Sequence, residues 1–329
     1  MIYWIELAIL GCTSLFHAIA SYREDQQAPP GQFVDLGGYC LHYCFMNQPQ
    51  SHSPTIVIDH SLGGMEGYLL AEKLQHLAPV FFYDRAGYGW SDRSAKPRTS
   101  DEIVQELDQL LTQATIPTPY LLLGNSFGSY NLRLYAQRFP DKVAGLILTD
   151  GLHETAMLAM PLPLKLLKWF FVSGFIVCVM GAQLGIIRLL RSLGFFEGLK
   201  PELRQFSRGN VRSIQRSFCR ATHWMTMIRE LVGLDQSGQQ LQATDHFGDL
   251  PIISIKSQSF FLPAWWTRLI PLNQANRLRD RIHLQLLQLS HQTTLLPAPQ
   301  SGHFVWTDQP EVMIDAVQKM LHQIKGDRG

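Results

Sequence analysis

The sequence predicts a doubly wound, mostly parallel α/β sheet interrupted by a helical, apolar insert, and three observations carry that expectation. Short β-rich runs alternate with helical patterns up to about residue 150, the rhythm that places helices on both faces of a parallel sheet. The rhythm breaks over residues 151–246, where Leu-rich and Met-rich helical material takes over. It then resumes at Leu250 and continues almost to the end of the chain. With 329 residues and 46% hydrophobic composition there is ample material for a large core. The expected organisation is therefore an N-terminal hydrophobic segment (1–28), a core in two pieces (29–150 and 247–329), and a helical cap between them (151–246).

The elements follow in order. Residues 32–37 and 40–46 read as two strands joined at Gly37-Gly38, a natural hairpin turn. Residues 54–60 (PTIVIDH) and 79–84 (PVFFYD) are short and β-rich, as buried parallel strands are. A helix is expected between them over 67–77, and another over 100–114, opened by Thr99 with Glu102 three residues on. Residues 120–124 (YLLLG) form the next strand, followed by a Gly-rich turn, a helix stopped by Pro140, and a strand over 143–149. After the insert come a strand over 250–257, a helix over about 276–289 and a strand over about 293–296. In the last helix, Met313, Ala316, Val317, Met320, Leu321 and Ile324 recur at three- and four-residue spacing.

Bulk composition excludes several classes of partner. A formal net charge of +1, from 28 basic and 27 acidic residues without long runs, leaves no footprint for nucleic acid. Charged residues make up 17% of the chain, below the roughly 25% usual for soluble domains, which leans it toward apolar surfaces and ligands. The five cysteines, Cys12, Cys40, Cys44, Cys178 and Cys219, are scattered and odd in number. Cys40 and Cys44 would sit about 13 Å apart on one strand, too far to bridge. All five read as small hydrophobes, and no cofactor or metal is expected.

The chemistry-bearing segment is Gly124-Asn125-Ser126-Phe127-Gly128. G-x-S-x-G is a short pattern, but here it lies between a β-run and an amphipathic helix, where a strained turn lifts a serine hydroxyl clear of the sheet. A serine needs a base to take its proton. Of twelve histidines, His303 alone combines a place after the last strand with a loop able to turn back toward Ser126. His322 falls on a helix face, and His283 and His291 read as solvated or helix-packed.

With these residues in view, the chain resembles the α/β-hydrolase superfamily over roughly residues 30–325, in its serine hydrolase, esterase- or lipase-like branch. The segments Tyr83 to Asp92 (YDRAGYGWSD), Phe139-Pro140, Val143-Ala144-Gly145-Leu146 and Ser301-Gly302-His303 match the superfamily in order and spacing. The resemblance implies an oxyanion hole from the amides of Phe127 and of Leu62, the latter in the loop His60-Ser61-Leu62-Gly63-Gly64, with Ser61 where a glycine is usual and His60 as loop architecture. It also implies an acid. The usual position after the cap, Ser257 to Phe261, holds no carboxylate, so Asp150 is nominated, as in members that carry their acid there. Asp280, Asp245, Asp249 or a triad lacking its acid are the alternatives.

The implied activity is acyl transfer to water: attack by Ser126, His303 as base and then acid, and Asp150 orienting the imidazole. Haloalkane dehalogenase and epoxide hydrolase chemistry would need a carboxylate at the elbow. An ester-like small molecule with an apolar group is the expected substrate. Perhydrolase or haloperoxidase-like and carbon–carbon hydrolase chemistry stay open, as does a non-catalytic binding protein on this fold.

Two apolar stretches raise membrane contact. Residues 1–20 carry only Glu6 as a charge and end in Ala18-Ile19-Ala20, similar to a signal cleavage site. Without a basic flank, they fit an uncleaved anchor or interfacial helix better than a secretory signal; a helix packed on the domain is the alternative. Residues 169–187 are uncharged, but one crossing there would put Ser126 and His303 on opposite sides of a bilayer. They read as a buried or membrane-dipping lid. The expectation is a membrane-associated protein, with the side of the membrane and the oligomeric state unassigned.

Overall fold

The structure, a computed structural model, describes residues 2–46, 53–242, 246–261 and 271–326. Eight strands form one sheet: β1 (Gln32–Asp35), β2 (Cys40–Met46), β3 (Thr55–Asp59), β4 (Val80–Tyr83), β5 (Tyr120–Asn125), β6 (Val143–Thr149), β7 (Ile252–Ser257) and β8 (Thr293–Ala298). Their spatial order is β1-β2-β4-β3-β5-β6-β7-β8. Gly37 and Gly38, both at positive φ (90° and 105°), turn β1 into β2. This hairpin and the β2–β4 pair are antiparallel, and every other pair is parallel.

The parallel strands read as continuous apolar runs because both faces of the sheet are covered. On β5, Tyr120 and Leu122 join the core beneath helices α3 (Ser100–Gln113) and α4 (Phe127–Arg138), while Leu121 and Leu123 join the opposite core. That second core is completed by helix α2 (Gly67–Leu74) and by the C-terminal helix Pro310–Gly326, whose six periodic residues are all buried. Helix Leu272–Leu286 closes the first core with Leu278, Ile282 and Leu286.

A helix over Ile2–Asp25, α1, precedes the sheet. Among the described residues, seven α-helices of the cap lie between β6 and β7: α5 (Glu154–Leu158), α6 (Leu162–Gln183), α7 (Ile186–Ser192), α8 (Phe195–Leu199), α9 (Arg208–Phe218), α10 (Ala221–Val232) and α11 (Leu234–Leu241). The core helices after the cap are α12 (Leu272–Leu286), α13 (Val305–Asp308) and α14 (Pro310–Gly326). Two expectations are corrected here. Of the two readings of the 169–187 stretch, the buried lid is overturned: α6 has only Leu164, Val172 and Ala182 buried, because it packs through one side alone. Helix α3 is not opened by a capping box either. The Thr99 hydroxyl accepts from Gln240 Nε2 at 3.2 Å, and the first amides of α3 are taken by the cap, Ser100 N donating to Ser237 Oγ (3.1 Å) and Asp101 N to Gln240 Oε1 (2.8 Å).

Core and cap meet at a buried guanidinium. Arg85 has no exposed surface, and every donor on it is used. Nη1 reaches Asp59 Oδ1 and the His60 carbonyl, both at 2.6 Å; Nη2 reaches the Ser61 carbonyl at 3.1 Å; and Nε and Nη2 grip both oxygens of Glu230 on α10 at 2.8 Å. The Tyr88 hydroxyl also donates to Glu230, at 2.8 Å. Burial alone would lower the Arg85 pKa, but Glu230 and Asp59 outweigh it and hold the guanidinium charged. Replacing Glu230→Ala leaves two donors of a buried cation unpaired. The expected loss is about 3–5 kcal/mol, seen as a lower midpoint in denaturant unfolding.

Candidate active site

Ser126 forms the whole turn between β5 and α4. Its backbone sits at φ 48°, ψ −112°, a conformation that costs an L-residue about 1–3 kcal/mol. The turn is closed by packing that only glycines permit: a Cβ on Gly124 would lie 2.8 Å from the Gly128 carbonyl oxygen, and one on Gly128 would lie 2.3 Å from that of Asp59. Hydrogen bonds hold the strained residue in place. Ser126 N donates to the Thr149 carbonyl (3.0 Å), and the Ser126 carbonyl accepts from both the amide (3.0 Å) and hydroxyl (2.5 Å) of Ser129.

Asp150 follows β6 directly, itself at φ 40°, and His303 lies in the loop between β8 and α13. His303 Nδ1 is 2.9 Å from Asp150 Oδ2. With the Nδ1 proton donated to the carboxylate, Nε2 is left as the basic nitrogen. The Phe260 ring stacks on the imidazole, with centroids 4.8 Å apart. Ser126, His303, Asp150, Phe127 and Leu62 all line one cavity of about 310 Å³ at the carboxyl edge of the sheet. The amides of Phe127 and Leu62 have no hydrogen-bond partner among the described residues. That leaves two donors available to a developing oxyanion.

The other carboxylates are placed elsewhere. Asp280 is exposed and bound to Lys256 at 2.8 Å, and Asp249 pairs with His291 at the surface at 3.0 Å. Asp245 lies outside the described residues. His60 is buried with Nδ1 2.7 Å from the Ser61 carbonyl, a loop contact. His322 is exposed on its helix.

Sequence reasoning missed three groups around Asp150 and the loop after β3. His283, on α12, is buried, the helix-packed one of its two readings. Its Nε2 lies 3.3 Å from Asp150 Oδ1 and its Nδ1 lies 2.9 Å from Ser254 Oγ. Ser257 donates to Asp150 twice, from its amide to Oδ1 (2.9 Å) and its hydroxyl to Oδ2 (2.6 Å). Burial works to raise the Asp150 pKa, but the hydrogen bonds and charges of His283 and His303 outweigh it and hold the carboxyl well below the usual range. The third group is Glu66. Its buried carboxylate accepts from the amide of Ser61 and, at 3.1 Å, from the Ser61 hydroxyl, next to the Leu62 amide. Here burial dominates over neutral donors, and the pKa is pushed up to about 7.

A periodic signal for His283 was present. Leu278, Arg279, Ile282, His283 and Leu286 are the buried residues of α12, one helical face. Ser257 and Glu66 carry no comparable local signal.

Residues 51–172 match the profile of the alpha/beta hydrolase fold. An uncharacterized protein of Bacillus subtilis is 39% identical over 71 residues, 22% of this chain and 28% of that protein. A human (lyso)-N-acylphosphatidylethanolamine lipase is 32% identical over 107 residues, 31% of each chain. The chain thus spans less than a third of either relative. Among solved structures, Cfl2 from Burkholderia cenocepacia superimposes with a TM-score of 0.66 at 18% identity, over 88% of this chain and 95% of that one. That likeness is one of fold.

Two outcomes are expected from the groups around the site. His283→Phe strips Asp150 Oδ1 of one donor and leaves Ser254 without its acceptor, and it should cost about 1–3 kcal/mol in thermal or denaturant unfolding. Glu66 has a folded-state pKa raised above its unfolded value of about 4.5, so its contribution is intact below that value and is lost as pH rises through about 7. Denaturant midpoints measured at about pH 5 and about pH 8 should therefore fall in the wild type, and fall less in Glu66→Gln.

Proposed function

From the α/β-hydrolase fold of the chain, whose profile residues 51–172 match, we propose that it is a serine hydrolase cleaving an ester-type acyl bond of an apolar substrate. One observation carries the reading: a strained Ser126 shares its cavity with His303, whose Nδ1 is engaged by the buried carboxylate of Asp150. In this mechanism Ser126 Oγ attacks the acyl carbonyl while His303 Nε2 takes its proton. The oxyanion is met by the Phe127 and Leu62 amides. His303 then protonates the leaving alcohol, and a water, activated by the same imidazole, releases the acid and restores Ser126.

The choice of an apolar acyl group rests on the walls. Met157, Met160, Leu164, Phe171, Phe175 and Met227 come from the cap and face the space above Ser126. The similarity to a lipase acting on an acylated phospholipid points the same way.

A fluorophosphonate probe should label the wild type at Ser126, and p-nitrophenyl esters of increasing chain length should show kcat/KM rising with acyl length. Ser126→Ala should lose both labelling and turnover, and His303→Ala and Asp150→Asn should each lower kcat by about 10⁴. Undiminished ester turnover in Ser126→Ala would sink the proposal. Halogenation that requires peroxide, without ester turnover, would replace it with perhydrolase chemistry.

A further inference from the structure

Helix α6 is apolar on both sides, and the two sides face different things. Leu164, Leu167, Phe171 and Phe175 line the cavity that holds Ser126. On the opposite side of the same helix, at three- and four-residue spacing, Leu162, Leu166, Trp169, Phe170, Val177 and Met180 lie open to solvent, Phe170 at 70% and Val177 at 61% exposure. A helix that is apolar all round is stable in water only when it is buried, yet α6 is mostly uncovered while being long and apolar enough to cross a membrane. It does not cross one in this fold, because its inner face is committed to the catalytic cavity.

A second apolar face stands beside it. Helix α1 packs on the junction of α6 and α7 so closely that a Cβ on Gly185 would fall 2.2 Å from the Thr13 carbonyl oxygen. Glu24 pins the far end of α1, bound by Arg188 (2.6 Å), Arg191 (3.1 Å) and Arg220 (3.1 Å). With Thr13, His17, Ser21 and Glu24 turned to the cap, the opposite stripe of α1, Leu15, Phe16, Ile19 and Tyr22, is exposed. The chain from Leu162 to Phe196 also contains four cations, Lys165, Lys168, Arg188 and Arg191, and no Asp or Glu. Lys168 is paired with Asp235, and Arg188 and Arg191 with Glu24, so the charge around the two faces is largely balanced; what they offer a partner is apolar area, on α6 over the length of a membrane helix.

We propose that the outer faces of α6 and α1 form a monotopic docking surface for a lipid bilayer, so that α6 lies in the interface with lipid on one side and the catalytic cavity on the other. This deepens the acyl-hydrolase reading by naming the substrate class as an ester that resides in the bilayer and enters from it. The docking itself stands apart from catalysis and is measured apart from it.

The test is flotation of the full chain with vesicles of phosphatidylcholine, alone or with phosphatidylglycerol, for the wild type, Ser126→Ala, and a variant with Trp169→Glu and Val177→Glu, neither of which lines the cavity. Wild type and Ser126→Ala should float with both kinds of vesicle. The double variant should lose about tenfold or more in partitioning, since each side chain forfeits upward of about 1.4 kcal/mol of apolar transfer. Its turnover of a short water-soluble ester should stay within about twofold of wild type, while turnover of a vesicle-borne ester falls with the partitioning. If that variant does not fold, Phe16→Glu with Ile19→Glu on α1 carries the same expectation. A wild type that stays unbound, a variant that floats equally well, or sedimentation showing that these faces pair two copies of the chain in place of lipid would each overturn the proposal. A wild type that floats but hydrolyses no ester would remove the acyl-hydrolase reading and leave the docking surface standing.

Discussion

The guanidinium of Arg85 is the contact on which the arrangement of this molecule depends. It is one cation in a dry interior, and it takes its partners from every part that must be held in register. Asp59 ends β3 and is also bound by Asn131 of α4, at 2.7 Å, so the helix behind the elbow is tied to the same carboxylate. The carbonyls of His60 and Ser61 fix the loop that carries the Leu62 amide, and Glu230 fixes the cap. A lysine could not replace it, because a point charge with three donors cannot serve a fork of five contacts in fixed planar directions. Ion pairs of this kind add little net stability over apolar packing, but a misregistered alternative would strand a buried charge. Geometry is what Arg85 supplies.

Two buried carboxyls, one lining the cavity and one behind the loop that carries the Leu62 amide, have opposite fates. Asp150 is met by two imidazoles as well as by Ser257, and charge wins over burial. Glu66 takes its side-chain contacts from Ser61, and burial wins over them and over the charge of Arg85. Burial is common to both, and the sign of each shift is set by whether the hydrogen bonds and charges around the carboxyl outweigh it. Asp150 thus suits the task of stabilising an imidazolium. Glu66 suits that of holding a loop.

The fold was legible in the sequence wherever structure is local. The strand runs, the Gly37-Gly38 turn and the six periodic residues of α14 all report near-neighbour geometry, as does the elbow around Ser126, because each depends on residues within a turn or two of one another. Asp150 and His303 were readable as positions, one at the end of β6 and one after β8, since in a parallel sheet those ends converge on one edge. What the chain hid is non-local. No spacing rule links His283 to Asp150, 133 residues apart, or Arg85 to Glu230, 145 residues apart. The capping of α3 was misread for the same reason: Thr99 and Glu102 satisfy a local rule, but the amides found partners in another part of the chain. For the outward side of α6 the sequence admits both burial and membrane contact, because apolar composition alone says that a face avoids water, not which neighbour supplies the alternative.

That capping of α3 bears on the order in which the molecule can mature. The partners of its first amides lie 137 and 139 residues further along the chain. As synthesis proceeds from the N-terminus, α3 can pair with the early strands through its apolar face, but its leading turn stays hydrated until Ser237 and Gln240 have emerged and the cap has wrapped back. The first half of the sheet is therefore finished from outside, by a segment made long after it. A chain released before that point would carry a core helix open at its N-terminal end, a frayed site for chaperones and proteases to recognise.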